Sequence, residues 1–330
     1  MQFQGGTRVL RIHFSGDDLA RTRIAPSVDP LWELVLAVHM LRGQRGDLLF
    51  TDWRRNTAAA LRRSPVPRQI RLLAALTPTF GYFPDFLTPG EALHGFEHGL
   101  EAVRSTPVPT LARDLRRLSA PPAAHPLLRR LADGDREMLA ALGEGMRAFY
   151  EAAVVPCRRE LSTAVEGDRS LRITAMADGG VEGLLKSFAP TSTWSGGELA
   201  IPGHPEQEIL LGGRGLLLVP SYFCVNHPVT LFDTTLSPVL IYPVARSART
   251  ALPSNPGLPT LIGRTRAAVL ESVGTGCGTS ELARRVGVSP ASSSEHMTAL
   301  RDAGLIMSRR DGQRMLHQLT RLGRALLEGG

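Results

Sequence analysis

The run ARSARTALPSNPGLP, with prolines at 253, 256 and 259 among small polar residues, constrains this chain more than any other feature, since neither a helix nor a strand is expected to run through it. Residues 246–259 therefore read as a linker between two domains, 1–245 and 260–330. The chain has 330 residues and 43% hydrophobic content, enough for each side to bury a core of its own.

On the N-terminal side, Leu10, Ile12 and Phe14 alternate along residues 7–14 and predict a strand whose partners lie far along the chain. Asp29 followed by Pro30 predicts a capped helix start before LWELVLAVHML, and Thr88 with Pro89 predicts the same before GEALHGFEHGLEAV. Further helices are expected near 50–63, 68–76, 110–118, 135–154 and 157–166, with helical character to about residue 188. From about 190 to 245, short apolar or alternating runs punctuated by Gly and Pro predict a β-rich layer, with GGRG at 212–215 as a hairpin turn between ILL and LLLV. The expected fold class is α+β: a mainly helical N-terminal domain with a small β-rich layer.

Composition narrows the function classes. The formal charge of +7 makes a polyanionic partner natural. Lys186 is the only lysine; the arginine excess suits bidentate phosphate contacts and is equally what a GC-rich genome produces. Three widely spaced cysteines, Cys157, Cys224 and Cys277, argue against a disulfide framework and for the cytoplasm. No signal peptide and no membrane-spanning segment are expected. His94 and His98 stand four apart near Glu91, Glu97 and Glu101 without the HExxH arrangement, and Cys224 with His227 lacks a second ligand pair, so no metal site and no cofactor are expected. Dinucleotide, P-loop, GxSxG and SxxK motifs are missing, and no catalytic residue is assigned.

Aromatic residues gather on the predicted helices and on FGYFPDF at 80–86. Trp32, Trp53, Phe80, Tyr82, Phe83, Phe86, Phe96, Phe149 and Tyr150 are candidates to line a site for an apolar or aromatic small molecule; the other reading is that they fill the core.

The C-terminal 70 or so residues carry the most specific order of signals. LIGRTRAAVLESVG predicts one helix; Thr279 caps a second, TSELARRVG, with Leu282, Ala283 and Val286 as its apolar stripe. Ser289 and Pro290 open a third that stops at Gly304. Two short helices joined by a glycine-containing turn make a helix-turn-helix. On the third helix Ser293, Met297 and Leu300 share one face, and Ala291, Ser294, Glu295 and Thr298 the other, small and polar enough for a major groove about 12 Å wide. Asp311-Gly312 predicts a hairpin with Arg309, Arg310 and Arg314 near its tip, and Thr320 caps a last helix. The candidate DNA-contacting residues are Ser289, Ala291, Ser292, Ser294, Glu295, Thr298, Arg309, Arg310 and Arg314.

The segment TSELARRVGVSPASSSEHMTALRDAGLIMSRRDGQRMLHQLTRLGRALL resembles the winged-helix domain of the arsenical-repressor (ArsR-type) family of bacterial regulators. That resemblance implies a homodimer on an operator of double-stranded DNA with approximate twofold symmetry, usually repressing, with base contacts from the helix of Ala291, Ser294 and Glu295 and phosphate contacts from the wing. Family members that sense metals do so through cysteines on the helix matching Glu281 to Val286, and ELARRV has none. The N-terminal part resembles that of a subgroup of large regulators in which an α+β domain precedes the winged helix. The expectation is a sequence-specific repressor whose operator binding responds to an organic molecule in the N-terminal domain; the alternative is control by a protein partner or by abundance, and a third reading is an enzyme fused to a DNA-binding module.

Overall fold

The computed structural model describes residues 9–43, 47–78, 81–189, 191–204, 206–225, 227–245, 258–273, 282–283, 286, 288–311 and 314–328. The chain divides into two compact units: Met1–Arg45 with Trp53–Ala245, and Gly46–Asp52 with Arg246–Gly330. A linear division at the prolines does not contain the grouping of Gly46–Asp52 with the second unit. The linker falls outside the described residues up to 257.

From its start the chain forms β1 (Val9–His13), α1 (Gly16–Arg21) and β2 (Arg23–Ile24). Helices follow: α2 (Pro30–Arg42), α3 (Asp47–Arg62), α4 (Pro67–Leu76), α5 (Phe96–Arg104), α6 (Val108–Arg117), α7 (His125–Ala132), α8 (Arg136–Ala153) and α9 (Arg158–Lys186). Strands β3 (Thr193–Ser195), β4 (Glu198–Pro202), β5 (Gln207–Leu210), β6 (Leu217–Ser221), β7 (Val229–Thr230) and β8 (Val239–Pro243) complete the first unit. This is an α+β fold.

Local chemistry sets many of these boundaries. Asp29 caps α2 through hydrogen bonds from Leu31 N and Trp32 N, each 3.0 Å, with Pro30 in the first turn. Leu31, Leu34, Val35, Leu36, Ala37 and Val38 are all buried, so α2 is apolar around its circumference and runs through the core. Thr88 and Pro89 do not start the long helix expected there: they lead into a 3₁₀ turn, Gly90–His94, and α5 begins only after Gly95. The helix expected at 157–166 continues as α9 to Lys186, interrupted by non-helical Gly179 and Gly180. Gly180, at φ +62 and ψ −160, takes a positive-φ conformation open essentially to glycine, which lets the chain turn there.

Two four-stranded sheets replace the single layer expected: β3-β4-β1-β5 and β2-β6-β8-β7. The distant partners of β1 are β4, antiparallel, and β5, parallel. GGRG is not a hairpin turn, because β5 and β6 on either side of it belong to different sheets. Arg214 holds this crossover by donating to Leu211 O (2.7 Å) and Thr234 O (2.7 Å). Leu10, Ile12, Leu184, Leu185, Phe188, Leu199, Ile201, Leu218, Leu240 and Tyr242 belong to one buried cluster in this region.

Four buried carboxylates hold the turns of the second sheet. Asp18 accepts from Gly215 N (3.0 Å), and Glu33 accepts from Tyr222 N (2.7 Å) and Phe223 N (3.0 Å). Asp85 accepts from Phe232 N (3.1 Å) and Asp233 N (2.8 Å), while Asp168 accepts from Ala245 N and the Tyr242 hydroxyl, both 2.8 Å. Burial pushes the Glu33 carboxyl up to about 7, the Asp29 carboxyl up to about 6, and raises Asp85. At Asp18 burial works the same way, but hydrogen bonds from Ser15 and Gly215 outweigh it and hold the carboxyl below its ordinary value.

The second unit contains α10 (Leu258–Ile262), α11 (Arg264–Ser272), α12 (Pro290–Asp302), β9 (Ile306–Asp311), β10 (Arg314–Leu319) and α13 (Arg321–Glu328). The first helix expected here is two helices, broken at Gly263, and Pro259 lies within α10 rather than ending the linker. Of the second, Leu282, Ala283 and Val286 are described and are helical. Leu258, Ala267, Val269, Leu270, Val273, Leu282, Met297, Leu300, Leu305, Ile306 and Leu319 make the core. Among the described residues no helix is long and apolar enough to cross a membrane.

Candidate nucleic-acid interface

Helix α12 is fixed at both ends by local hydrogen bonds. Ser289 is extended and its hydroxyl accepts from Ser292 N (3.1 Å), with Pro290 next. At the other end Gly304 is left-handed, Leu305 N donates to Leu300 O (2.9 Å) and Gly304 N to Arg301 O (2.8 Å), a Schellman closure that satisfies the last carbonyls. Between these ends Ser293, Met297 and Leu300 are buried, whereas Ala291, Ser294, Glu295, Thr298 and Arg301 are exposed and Ser292 is half-buried. The exposed face is therefore polar, with small side chains at 291, 294 and 298 and charged ones at 295 and 301, and the opposite face is anchored in the core.

The chain passes from α12 directly into the antiparallel pair β9–β10, in which Arg309 stands opposite Leu316, Arg310 opposite Met315 and Asp311 opposite Arg314. Gly312 and Gln313, and the side chains of Arg309, Arg310 and Arg314, lie outside the described residues. His317 is buried and its Nδ1 lies 2.8 Å from the Ser308 hydroxyl; burial, reinforced by Arg301, holds the imidazole below its ordinary value. Thr320 caps α13 by accepting from Gly323 N (3.1 Å) and donates to Gly304 O (2.6 Å), tying the last helix to the end of α12.

The described aromatic residues pack in several separate ring contacts. Trp32 meets Phe83 edge-on at 5.8 Å, and Phe83 in turn meets His39. Phe96 stacks on Tyr150 at 4.1 Å. Trp53 packs on Phe223 at 4.8 Å and donates from Nε1 to Ala153 O (2.6 Å); Tyr82 meets Phe232 at 5.4 Å. Phe86 and Phe149 are buried, and Phe80 lies outside the described residues. The Tyr82 hydroxyl is buried without a hydrogen-bond partner among the described residues.

His94 and His98 sit on different elements, the 3₁₀ turn and α5, with ring centroids 6.3 Å apart. Cys224 is buried, and its thiol meets the backbone oxygen of His227 at 3.3 Å. Among the described residues no group of three or more His, Cys, Asp and Glu is placed to hold a metal ion. The carboxylate clamps join residues far apart in the sequence and leave little local mark there. Glu33 had a signal, a lone acid inside an otherwise apolar helix, which a fold keeps only where donors meet it.

No family model, curated protein or solved structure matches this chain.

Proposed function

We propose that the chain is a sequence-specific DNA-binding transcriptional regulator, of the winged helix-turn-helix kind that its C-terminal segment resembles. The observation that carries this reading is the division of α12 into a core-anchored face and an exposed face of Ala291, Ser294, Glu295 and Thr298, followed at once by an arginine-bearing β-hairpin. A helix with small outward side chains lets its backbone approach base edges, and arginines on an adjoining hairpin supply phosphate contacts. In this reading the protein acts as a homodimer on an operator with approximate twofold symmetry and represses. The pairing of Trp32, Trp53, Tyr82, Phe83, Phe96 and Tyr150 with neighbouring rings favours control by a protein partner or by abundance over an organic effector lodged among them.

Selection of binding sites from a random DNA pool tests the reading, and recovery of no enriched motif would overturn it. Replacing Arg309, Arg310 or Arg314 by Ala is expected to weaken binding to all sequences and make the salt slope shallower by about 0.9 for each phosphate no longer neutralised. Glu295→Ala is expected to keep or raise non-specific affinity while relaxing preference at one cytosine-containing position by about 1–3 kcal/mol, because a carboxylate in the groove is tolerated where it accepts from a base amino group. The same motif with the same information at every position would reduce Glu295 to a solvated helix residue.

A further inference from the structure

Between Asp52 and Asp85 the sequence contains no acidic residue but arginines at 54, 55, 62, 63, 68 and 71. The structure separates them. Arg54 is turned inward and donates to Met40 O (2.8 Å). Arg62 ends α3, Arg63 follows it, and after a short connection Arg68 and Arg71 lie one turn apart on α4, beside the buried stripe of Leu72, Leu73 and Leu76. All four are exposed, and among the described residues none of their guanidinium groups makes a hydrogen bond or ion pair. Arg42, Arg113, Arg130, Arg147, Arg172 and Arg214 of the same unit are all engaged by carboxylates or carbonyls. Glu144 of α8, the helix packed on α4, is engaged by Gln69 (3.2 Å).

We propose that this arginine corner between α3 and α4 is a second nucleic-acid surface, one that grips the phosphate backbone of duplex DNA without reading sequence. Four uncompensated guanidinium groups on one helix–turn–helix corner make a local field that attracts a polyanion, and their planar donor forks match phosphate oxygens. An anionic lipid surface offers the same phosphate chemistry, but stable docking there also needs an outward apolar face. Among the described residues, none of the exposed large hydrophobic side chains, Val108, Leu127, Val155, Leu171 and Ile173 among them, falls between residues 53 and 84. The chemistry therefore points to nucleic acid. This surface stands beside the reading of the C-terminal unit and does not depend on it.

The experiment uses the full chain and a duplex of arbitrary sequence, with affinity measured by fluorescence anisotropy across a salt series. The quadruple variant R62A/R63A/R68A/R71A is expected to weaken binding and reduce the salt slope by between about 2 and 4, at about 0.9 for each phosphate that an arginine had neutralised. The corresponding four-lysine variant keeps the charge and is expected to retain most of the slope. An unchanged slope in the alanine variant, an equal loss in the lysine variant, or loss of binding only to phosphatidylserine–phosphatidylcholine vesicles would each overturn the proposal. Alanine at Arg309, Arg310 and Arg314 is the companion measurement. If that change leaves duplex affinity intact while the corner variant lowers it, the reading of the hairpin fails and this surface stands; the converse pattern removes this surface alone.

Discussion

Asp168 joins α9 to the end of β8 through one carboxylate: it accepts from Ala245 N and the Tyr242 hydroxyl and pairs with Arg172 of its own helix at 3.2 Å, with almost no exposure of either charged side chain. Arg172 also reaches Ser187 and lies over the Phe188 ring at 4.3 Å. Asp168→Ala is expected to cost about 3–5 kcal/mol, because it strands a buried guanidinium along with two donors. Adding Arg172→Met should return a large part of that loss by removing the stranded charge. Urea unfolding of the single and double variants measures both, and a double variant less stable than Asp168→Ala would show that the cost lies elsewhere. The partners of such carboxylates were invisible in the sequence even where, as at Glu33, the acid itself stood out, since Glu33 and Tyr222 are 189 positions apart. The caps at Asp29, Ser289 and Thr320 were legible because their bonds close within three residues and depend only on local backbone geometry. On the candidate DNA face, the buried and exposed sides of α12 were legible for the same reason, as helical spacing alone sorts them.

Elements show a parallel split. The apolar stripes of α3, α4, α6 and α8 could be placed from spacing, and the alternation in β1 marked it as a strand. Which strands pair could not, so GGRG looked like a hairpin when it is a crossover between sheets, and Gly263 inside a helical pattern gave no local sign of a break. Helix packing leaves a mark in glycine, though only the fold says which glycine matters. Gly145 of α8 faces α4 so closely that a Cβ would stand 2.4 Å from the Gln69 carbonyl oxygen, whereas Gly167 of α9 has nothing within 4 Å of its Cβ position. Gly145→Ala is expected to destabilise by about 1–3 kcal/mol through displacement of α4. Gly167→Ala should stabilise by up to about 1 kcal/mol, since alanine restricts the unfolded chain and favours helix. Thermal unfolding of the pair decides it: a Gly145→Ala variant that is not destabilised would mean that the α4–α8 approach has slack, and a destabilised Gly167→Ala would mean that position 167 is not open.

At the scale of the whole molecule, two compact units mean that a single unfolding curve mixes two transitions unless the probe belongs to one of them. All three tryptophans, Trp32, Trp53 and Trp194, lie in the first unit, so tryptophan fluorescence follows that unit alone. Its stability is tied to pH by groups that ionise differently when folded. Glu33 rises from 4.5 to about 7 and Asp29 from 3.8 to about 6, both through burial, so between those values the folded state holds protons that the unfolded state has released. Stability from these two is fully present below the unfolded values and is lost as pH rises through the folded ones. His39 acts oppositely: burial, with Arg42 beside it, lowers the imidazole from 6.5 to about 4, so its neutral folded form favours folding above 6.5 and is penalised as pH falls toward 4. Two carboxyls outweigh one imidazole. The first unit is expected to lose stability between pH 5 and 7, by roughly 1 kcal/mol per pH unit near the middle of that range. Glu33→Gln should flatten the dependence and His39→Gln should steepen it, since each removes one side of the opposition. Denaturation midpoints read by tryptophan fluorescence at pH 5, 6 and 7 test the sign directly: stability that climbs with pH in the unmodified chain would mean that Glu33 and Asp29 stay ionised in the fold, held by their backbone donors against the cost of burial.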